Sequence, residues 1–80
     1  MYNIEKVYNA KTGDSVVTVM VKGSMIGTAR YIPTGRFIIV NQYSALFPFK
    51  AVMELFRNED YTHVERIDHT ILKREDIDNV

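Results

Sequence analysis

Residues 44–57 read SALFPFKAVMELFR, and this stretch decides the fold class. It is the only segment of the sequence with a clear helical period. One apolar stripe recurs at i, i+3, i+4 and i+7, on Phe49, Val52, Met53 and Phe56. An amphipathic helix of this kind has to bury its stripe against another layer. The stretch therefore predicts one helix that covers a layer formed by the rest of the chain.

The start of this helix has two interpretations. Ser44 is a suitable N-cap, which places Leu46 on the apolar stripe one turn before Phe49. Pro48 suits the first helical position instead, and the regular helix then begins later. In both cases Asn58 and the acidic pair after it end the helix.

The chain before residue 43 reads as strands separated by turn signals. Strands are predicted at residues 2–9, 15–22, 25–32 and 36–42, where β-branched and aromatic residues concentrate. Gly13 and the Gly23-Ser24 pair mark the first two turns. Pro33-Thr34-Gly35 predicts a type I turn followed by a left-handed glycine. Connections this short do not allow parallel crossovers, so we expect an antiparallel meander.

The segment after the helix is ambiguous. Residues 61–72 suit a strand by residue type, although Tyr61, Val64, Ile67 and Ile71 are also spaced as on a helix. We expect a final strand, with a second helix as the alternative, and a frayed tail at 76–80. The predicted fold is one α+β domain over residues 1–80. It has an antiparallel sheet of about four to five strands, in the order ββββαβ, packed on one amphipathic helix.

Length and composition limit what the chain can be. Its 80 residues form one domain, whose single core gives a narrow stability margin of about 3–5 kcal/mol. There is no cysteine for a disulfide or a thiolate metal site, so association with a second copy is the expected source of further stability. The sequence has no N-terminal apolar region and no run of about 18 apolar residues. We therefore expect a cytoplasmic protein with no membrane partner.

The charge pattern bears on nucleic-acid binding. Ten basic residues balance ten acidic ones, whereas a protein that grips phosphates needs a basic excess. The balance is uneven, because residues 15–42 are mildly basic and residues 58–80 are mildly acidic. The basic residues are Lys22, Arg30 and Arg36, and aromatic residues lie among them, as in sheets that stack single-stranded nucleic acid. Nucleic acid is therefore a second candidate partner.

No combination of residues predicts catalysis, a cofactor or a metal ion. His63 and His69 lie about 20 Å apart along an extended strand, too far for one ion even with Glu65 between them. Ser44, His63 and Asp68 lack the strained turn and the oxyanion glycine that accompany a catalytic triad. The glycines are spread over the predicted hairpins, and none forms a phosphate-cradling loop before a helix. We therefore expect a protein that is not an enzyme.

The second face of the sheet carries the binding prediction. Strand alternation places Val17, Val19, Val21, Ala29, Tyr31, Phe37 and Ile39 on the helix side. The other face then keeps apolar residues that one helix cannot cover, rimmed by basic and hydroxyl side chains, which is typical of an interaction surface. The predicted partner-binding residues are Met20, Lys22, Ile26, Thr28, Arg30, Ile32, Arg36, Ile38 and Val40. A curled sheet, or a C-terminal segment folded across this face, is the open alternative.

These patterns predict a small protein-binding domain without catalytic activity. Its partner is either a second copy, as in a homodimer, or a foreign protein whose surface it occludes. A cysteine-free single domain of this size suits a bacteriophage protein that inhibits or redirects a host protein, in host takeover or against host defence. That step is a prediction from size class and rests on no residue. The first alternative is a nucleic-acid-binding or transcription-regulating module, and the second is an oligomer that sequesters a small ligand.

Overall fold

The structure, a computed structural model, describes residues 2–70, which form five strands and one helix. In chain order the elements are β1 (Tyr2–Tyr8), β2 (Ser15–Val21), β3 (Ser24–Ile32), β4 (Phe37–Gln42), α1 (Phe49–Glu54) and β5 (His63–Asp68). The strands form one sheet in the order β1-β2-β3-β4-β5. The predicted α+β class and the ββββαβ order are confirmed. The predictions for residues 71–72 and for a frayed tail at 76–80 lie outside the described residues.

The last strand runs in the opposite direction to the one expected. β1 to β4 pair antiparallel as a meander, but β5 pairs parallel to β4. The expectation of a wholly antiparallel sheet is therefore wrong for β5. The chain leaves the far end of β4 and returns to its beginning, where the backbone N–H of Thr62 donates to the carbonyl of Arg36 at 2.8 Å. A chain that returns to the same end of the sheet can only start a parallel neighbour.

The ambiguous segment after α1 contains the predicted strand. Residues 63–68 are extended, and the backbone becomes helical at His69 and Thr70, the last described residues. Asp68 lies at this change, where its Oδ1 accepts the backbone N–H of Thr70 at 3.0 Å. A carboxylate in this position caps a helix start. The preference for a strand is thus confirmed for residues 63–68.

α1 is shorter than the predicted helix. It begins at Phe49 directly after Pro48, so the later of the two predicted starts is confirmed. Ser44 instead opens a separate turn, in which its hydroxyl accepts the N–H of Leu46 at 3.1 Å. Pro48 keeps the two apart because it disfavours helical geometry in the residue before it. As a result Phe47 is buried and Leu46 is exposed, and the placement of Leu46 on the apolar stripe is wrong.

One apolar layer between the sheet and the segment of residues 44–58, here called the α1 segment, forms the core. Its buried residues are Val17, Val19, Ile26, Ala29, Tyr31, Ile38, Val40, Phe47, Val52 and Phe56. Gly27 leaves space for the ring of Phe47, since a Cβ at Gly27 would lie 2.3 Å from that ring. An aromatic ring therefore packs over a small residue of β3. The residue that does so is Phe47, which precedes the helix.

The turn between β3 and β4 is one residue longer than predicted. Four residues, 33–36, connect the two strands, and Ile32 pairs with Phe37. Arg36 takes the left-handed conformation, with φ 54°, that was expected for Gly35. Side chains alternate along a strand, so a shift of one residue moves each of them to the opposite face.

The longer turn reverses the predicted faces of β4. Ile38 and Val40 pair into the rows that contain Tyr31 and Ala29, and both are fully buried in the core. Phe37 and Ile39, which were expected on the helix side, lie on the other face.

A bulge in β3 places Ile26 on the opposite face from the predicted one. Val19 pairs with Gly27 whereas Met20 pairs with Met25, so Ile26 is an extra residue in β3. A bulge redirects the side chain of the extra residue. Ile26 is accordingly buried in the core cluster instead of lying on the uncovered face.

The adjacent isoleucines of β4 test this register. Ile38 is fully buried, whereas Ile39 is half-buried on the other face. We expect Ile38→Ala to lower the free energy of unfolding by about 2–5 kcal/mol, because it leaves a cavity in the core. Ile39→Ala is expected to lower it by about 1 kcal/mol or less. Urea denaturation followed by circular dichroism measures both losses, and equal losses or the reverse order would contradict the register.

Candidate binding surface

The sheet face turned away from the α1 segment, here called the open face, is formed by alternate residues of all five strands. No element within residues 2–70 packs on it, since the α1 segment joins the core cluster on the other side. Strand register places eight apolar residues there, all exposed or half-buried: Val7, Val16, Met20, Met25, Ile32, Phe37, Ile39 and Ile67. Residues 2–70 therefore leave this face uncovered, with a different set of residues from the predicted one. The alternative of a C-terminal segment folded across this face lies, for residues 71–80, outside the described residues.

The predicted residues that lie on the open face come from β2 and β3. They are Met20, Thr28, Arg30 and Ile32. Three other predicted residues, Ile26, Ile38 and Val40, are buried in the core on the opposite side. Because they do not reach the surface, they cannot contact a partner while the domain is folded.

Among the apolar residues of the open face that the predicted set lacks, three owe their position to an irregularity of the sheet. Met25 comes from the bulge in β3, and Phe37 and Ile39 come from the longer turn before β4. The sequence Pro33-Thr34-Gly35 is compatible with turns of either length, so it carries no signal that separates the two. The ring of Phe37 lies over Gly35, where a Cβ would be 2.3 Å from it.

Lys22 and Arg36, the remaining predicted residues, occupy turns at opposite ends of β3. Lys22 has φ 50° and Gly23 has φ 80°, so the two residues between β2 and β3 form a turn with both central residues left-handed. Arg36 donates to the Asp60 carboxylate at 3.2 Å. The structure therefore does not gather Lys22 and Arg36 into one basic patch.

The charges on the open face differ from the predicted basic rim. Arg30 is paired with the carboxylate of Asp14, and its Nε donates at 3.1 Å. Glu5 on β1 and Glu65 on β5 lie on the same face, near its two edges. The strands of the open face thus place carboxylates at the rim. The guanidinium of Arg30 is neutralised by its ion pair with Asp14. This arrangement is unfavourable for phosphates.

The histidines considered for metal binding and catalysis are separated by the strand that carries them. His63 begins β5, whereas His69 follows its end, where Nε2 lies 2.9 Å from Asn41 Oδ1. The His69 ring also stacks on Tyr43 with centroids 4.4 Å apart. Within the described part of the chain, no three His, Cys, Asp or Glu side chains are grouped as metal ligands. His63 and Asp68 lie at opposite ends of β5, so these two residues and Ser44 do not form a triad.

In residues 2–70 the structure contains no helix with the length and apolar character needed to cross a membrane. Comparison of the chain with protein-family models, curated proteins and solved structures finds no match.

The turn at Lys22 gives a prediction about stability. A left-handed residue before glycine is favourable for asparagine and unfavourable for lysine. We expect Lys22→Asn to raise the free energy of unfolding by about 0.5–1 kcal/mol. Lys22→Ala, which removes the same charge and keeps the unfavourable conformation, is the matched control and should show no gain. Urea denaturation distinguishes them, and an asparagine variant no more stable than the alanine variant would contradict the turn geometry.

Proposed function

We propose that this chain is a non-catalytic protein-binding domain whose open face docks on another protein and occludes its surface. The observation that carries the proposal is an apolar cluster left uncovered by residues 2–70. It lies at the end of the sheet near the β3–β4 turn and contains Val7, Val16, Ile32, Phe37 and Ile39. Contiguous apolar surface with a polar rim is typical of sites that bind other proteins.

The arrangement inside this cluster supports binding to a protein. Val7 pairs with Val16, and Ile32 pairs with Phe37, so apolar side chains are neighbours across two strand pairs. Arg30 lies between Val16 and Ile39 in the same row, with its charge compensated by Asp14. Arginine is enriched among the residues that dominate binding energy at interfaces.

The size of the open face is adequate for a stable complex. Five strands about 4.8 Å apart, each six to nine residues long, give a face of roughly 24 by 20 Å. One side of a standard protein–protein interface buries about 800 Å² of accessible surface. The open face measures about 480 Å² in projection, before the relief of its side chains is added, and is comparable in size with such a side.

The charges indicate the chemistry of the partner. Glu5 and Glu65 lie at the edges of the open face, so a partner with an apolar centre and basic residues around it is complementary. A second copy docked face to face brings the same carboxylates together, and nucleic acid brings phosphates to them. We therefore propose a foreign protein for this face. The biological effect that we propose is inhibition by occlusion, as for a bacteriophage protein acting on a host protein.

Affinity capture followed by mutation tests the proposal. The immobilised chain is incubated with bacterial lysate, and the retained protein, nucleic acid and nucleotide are identified by mass spectrometry. The retained protein is then purified, and its Kd for the chain is measured by calorimetry. We expect Ile39→Glu to raise this Kd at least tenfold, since it places a carboxylate in the apolar contact. The matched control is Ala51→Glu, which adds the same charge on the exposed side of α1 and should leave the Kd unchanged.

Three outcomes would count against this function. Retention of nucleic acid or nucleotide without protein would favour one of the two alternative classes. A Kd that rises steeply with salt for a retained polynucleotide would identify phosphate binding. Equal Kd values for Ile39→Glu and the unchanged chain would show that the partner binds elsewhere, provided that circular dichroism confirms both are folded.

A further inference from the structure

β1 is an edge strand whose outer side has no partner among residues 2–70. It is first in the sheet order and pairs only with β2. All seven of its residues are exposed. Its register with β2 is continuous from Tyr2 to Tyr8, without a bulge. An edge of this length offers a row of backbone hydrogen-bonding groups to another strand.

The usual protections of an edge strand are weak in β1. It contains no proline, and its two charges, Glu5 and Lys6, are adjacent and of opposite sign. β5, at the other edge of the sheet, carries Glu65, Arg66 and Asp68 within six residues. Charged side chains discourage pairing at an edge, so β1 is the more receptive of the two.

The free backbone groups of β1 follow from its pairing with β2. The N–H of Asn9 donates to the carbonyl of Asp14 at 2.8 Å, so residue 9 points toward β2. Inward and outward groups alternate along an antiparallel strand. The N–H and C=O groups of Tyr2, Ile4 and Lys6 therefore point outward, away from the sheet.

Side chains of β1 reach the α1 segment at the backbone of two exposed leucines. The Tyr2 hydroxyl donates to the carbonyl of Leu46 at 2.7 Å, and Lys6 Nζ donates to the carbonyl of Leu55 at 2.9 Å. Leu46 is 62% exposed and Leu55 is 41% exposed. Between Tyr2 and Lys6, on the same face of β1, lies Ile4. The edge thus combines free backbone groups with three exposed apolar residues, Ile4, Leu46 and Leu55, here called the apolar strip.

We propose that a second copy of this chain pairs with β1 along this edge, antiparallel and centred on Ile4. The two sheets then join into one continuous sheet around a two-fold axis perpendicular to it. A two-fold axis perpendicular to the sheet places residues of the same face opposite each other. One residue of β1 therefore lies opposite its own copy, with the axis between the two. An axis at Glu5 or Lys6 sets identical charges opposite each other, which is unfavourable. An axis at Ile4 sets Tyr2 opposite Lys6 and Asn3 opposite Glu5.

The same axis matches the apolar strips of the two copies. It keeps both α1 segments on one side of the joined sheet. Tyr2 of one copy lies opposite Lys6 of the other, so Leu46 beside Tyr2 is brought to the same end of the seam as Leu55 of the other copy. The strip is therefore self-complementary. The residues along this edge specify no such match for a foreign strand. The second copy is therefore the proposed occupant.

This inference does not depend on the proposed function, because β1 pairing and the open face use different groups. Sedimentation velocity on the purified chain, with no other protein present, measures it directly. We expect a species of twice the chain mass that dissociates on dilution. Hydrogen exchange by NMR adds a readout specific to strand pairing. The amides of Ile4 and Lys6 should exchange at least tenfold more slowly at concentrations where the dimer forms.

Matched substitutions in β1 locate the contact. Ile4→Lys sets two lysines opposite each other at the axis and should raise the dimer dissociation constant at least tenfold. Val7→Lys is the control, because Val7 lies on the open face beyond the paired residues 2–6. Ile4 is 38% exposed and Val7 is 57% exposed, so both variants should fold, which circular dichroism verifies.

A chain that remains monomeric at every concentration would overturn the proposal. A dimer whose dissociation constant responds equally to both substitutions, or whose Ile4 and Lys6 amides remain unprotected, would place the interface elsewhere. A monomer in which these amides become protected only after a foreign protein is added would assign the edge to that protein. In each case the capture result for the open face stays interpretable, since it uses Ile39→Glu.

Discussion

The alternation of side chains along β4 is the constraint on which the rest of the structure depends. A four-residue turn, with Arg36 left-handed, sets Ile32 opposite Phe37. From that single pairing it follows that Ile38 and Val40 enter the core, because faces alternate strictly. β4 lies between β3 and β5, so its inward residues join the core and its outward residues join the open face. A turn one residue longer or shorter would exchange the two sets.

The position of β5 depends on contacts that tie it to the α1 segment. Arg66 on β5 lies with its guanidinium 4.1 Å from the centroid of the Phe49 ring, and its Nε donates to Gln42 Oε1 at 3.0 Å. Gln42 Nε2 in turn donates to the carbonyl of Ser44 at 3.0 Å. This chain of contacts joins β5, β4 and the start of the α1 segment. It compensates a charge and an amide beside the core, where unpaired polar groups are costly.

Residues 2–70 leave two surfaces uncovered, which we propose as binding surfaces, and they differ in physical character. The open face offers side chains, so its specificity depends on which residues alternation places there. The β1 edge offers backbone groups, and its pairing depends on strand direction and register. The sequence predicts an uncovered face, because one helix covers one side of a sheet. The predicted alternation is correct for four residues of β2 and β3, because these strands precede the β3–β4 turn. The four residues on the open face are Met20, Thr28, Arg30 and Ile32.

By itself the sequence determined the class of the domain and most of its local elements. Short segments of sequence are enough to reveal the helical period of residues 44–57, the β-branched strands and the turn at Gly13, whose φ is 81°. The tertiary structure alone decided the direction of β5, the bulge at Ile26 and the faces of β4. Each of these depends on pairing between distant residues or on one additional residue in a turn. Local propensities are nearly equal for the alternatives, so packing of the whole core selects between them.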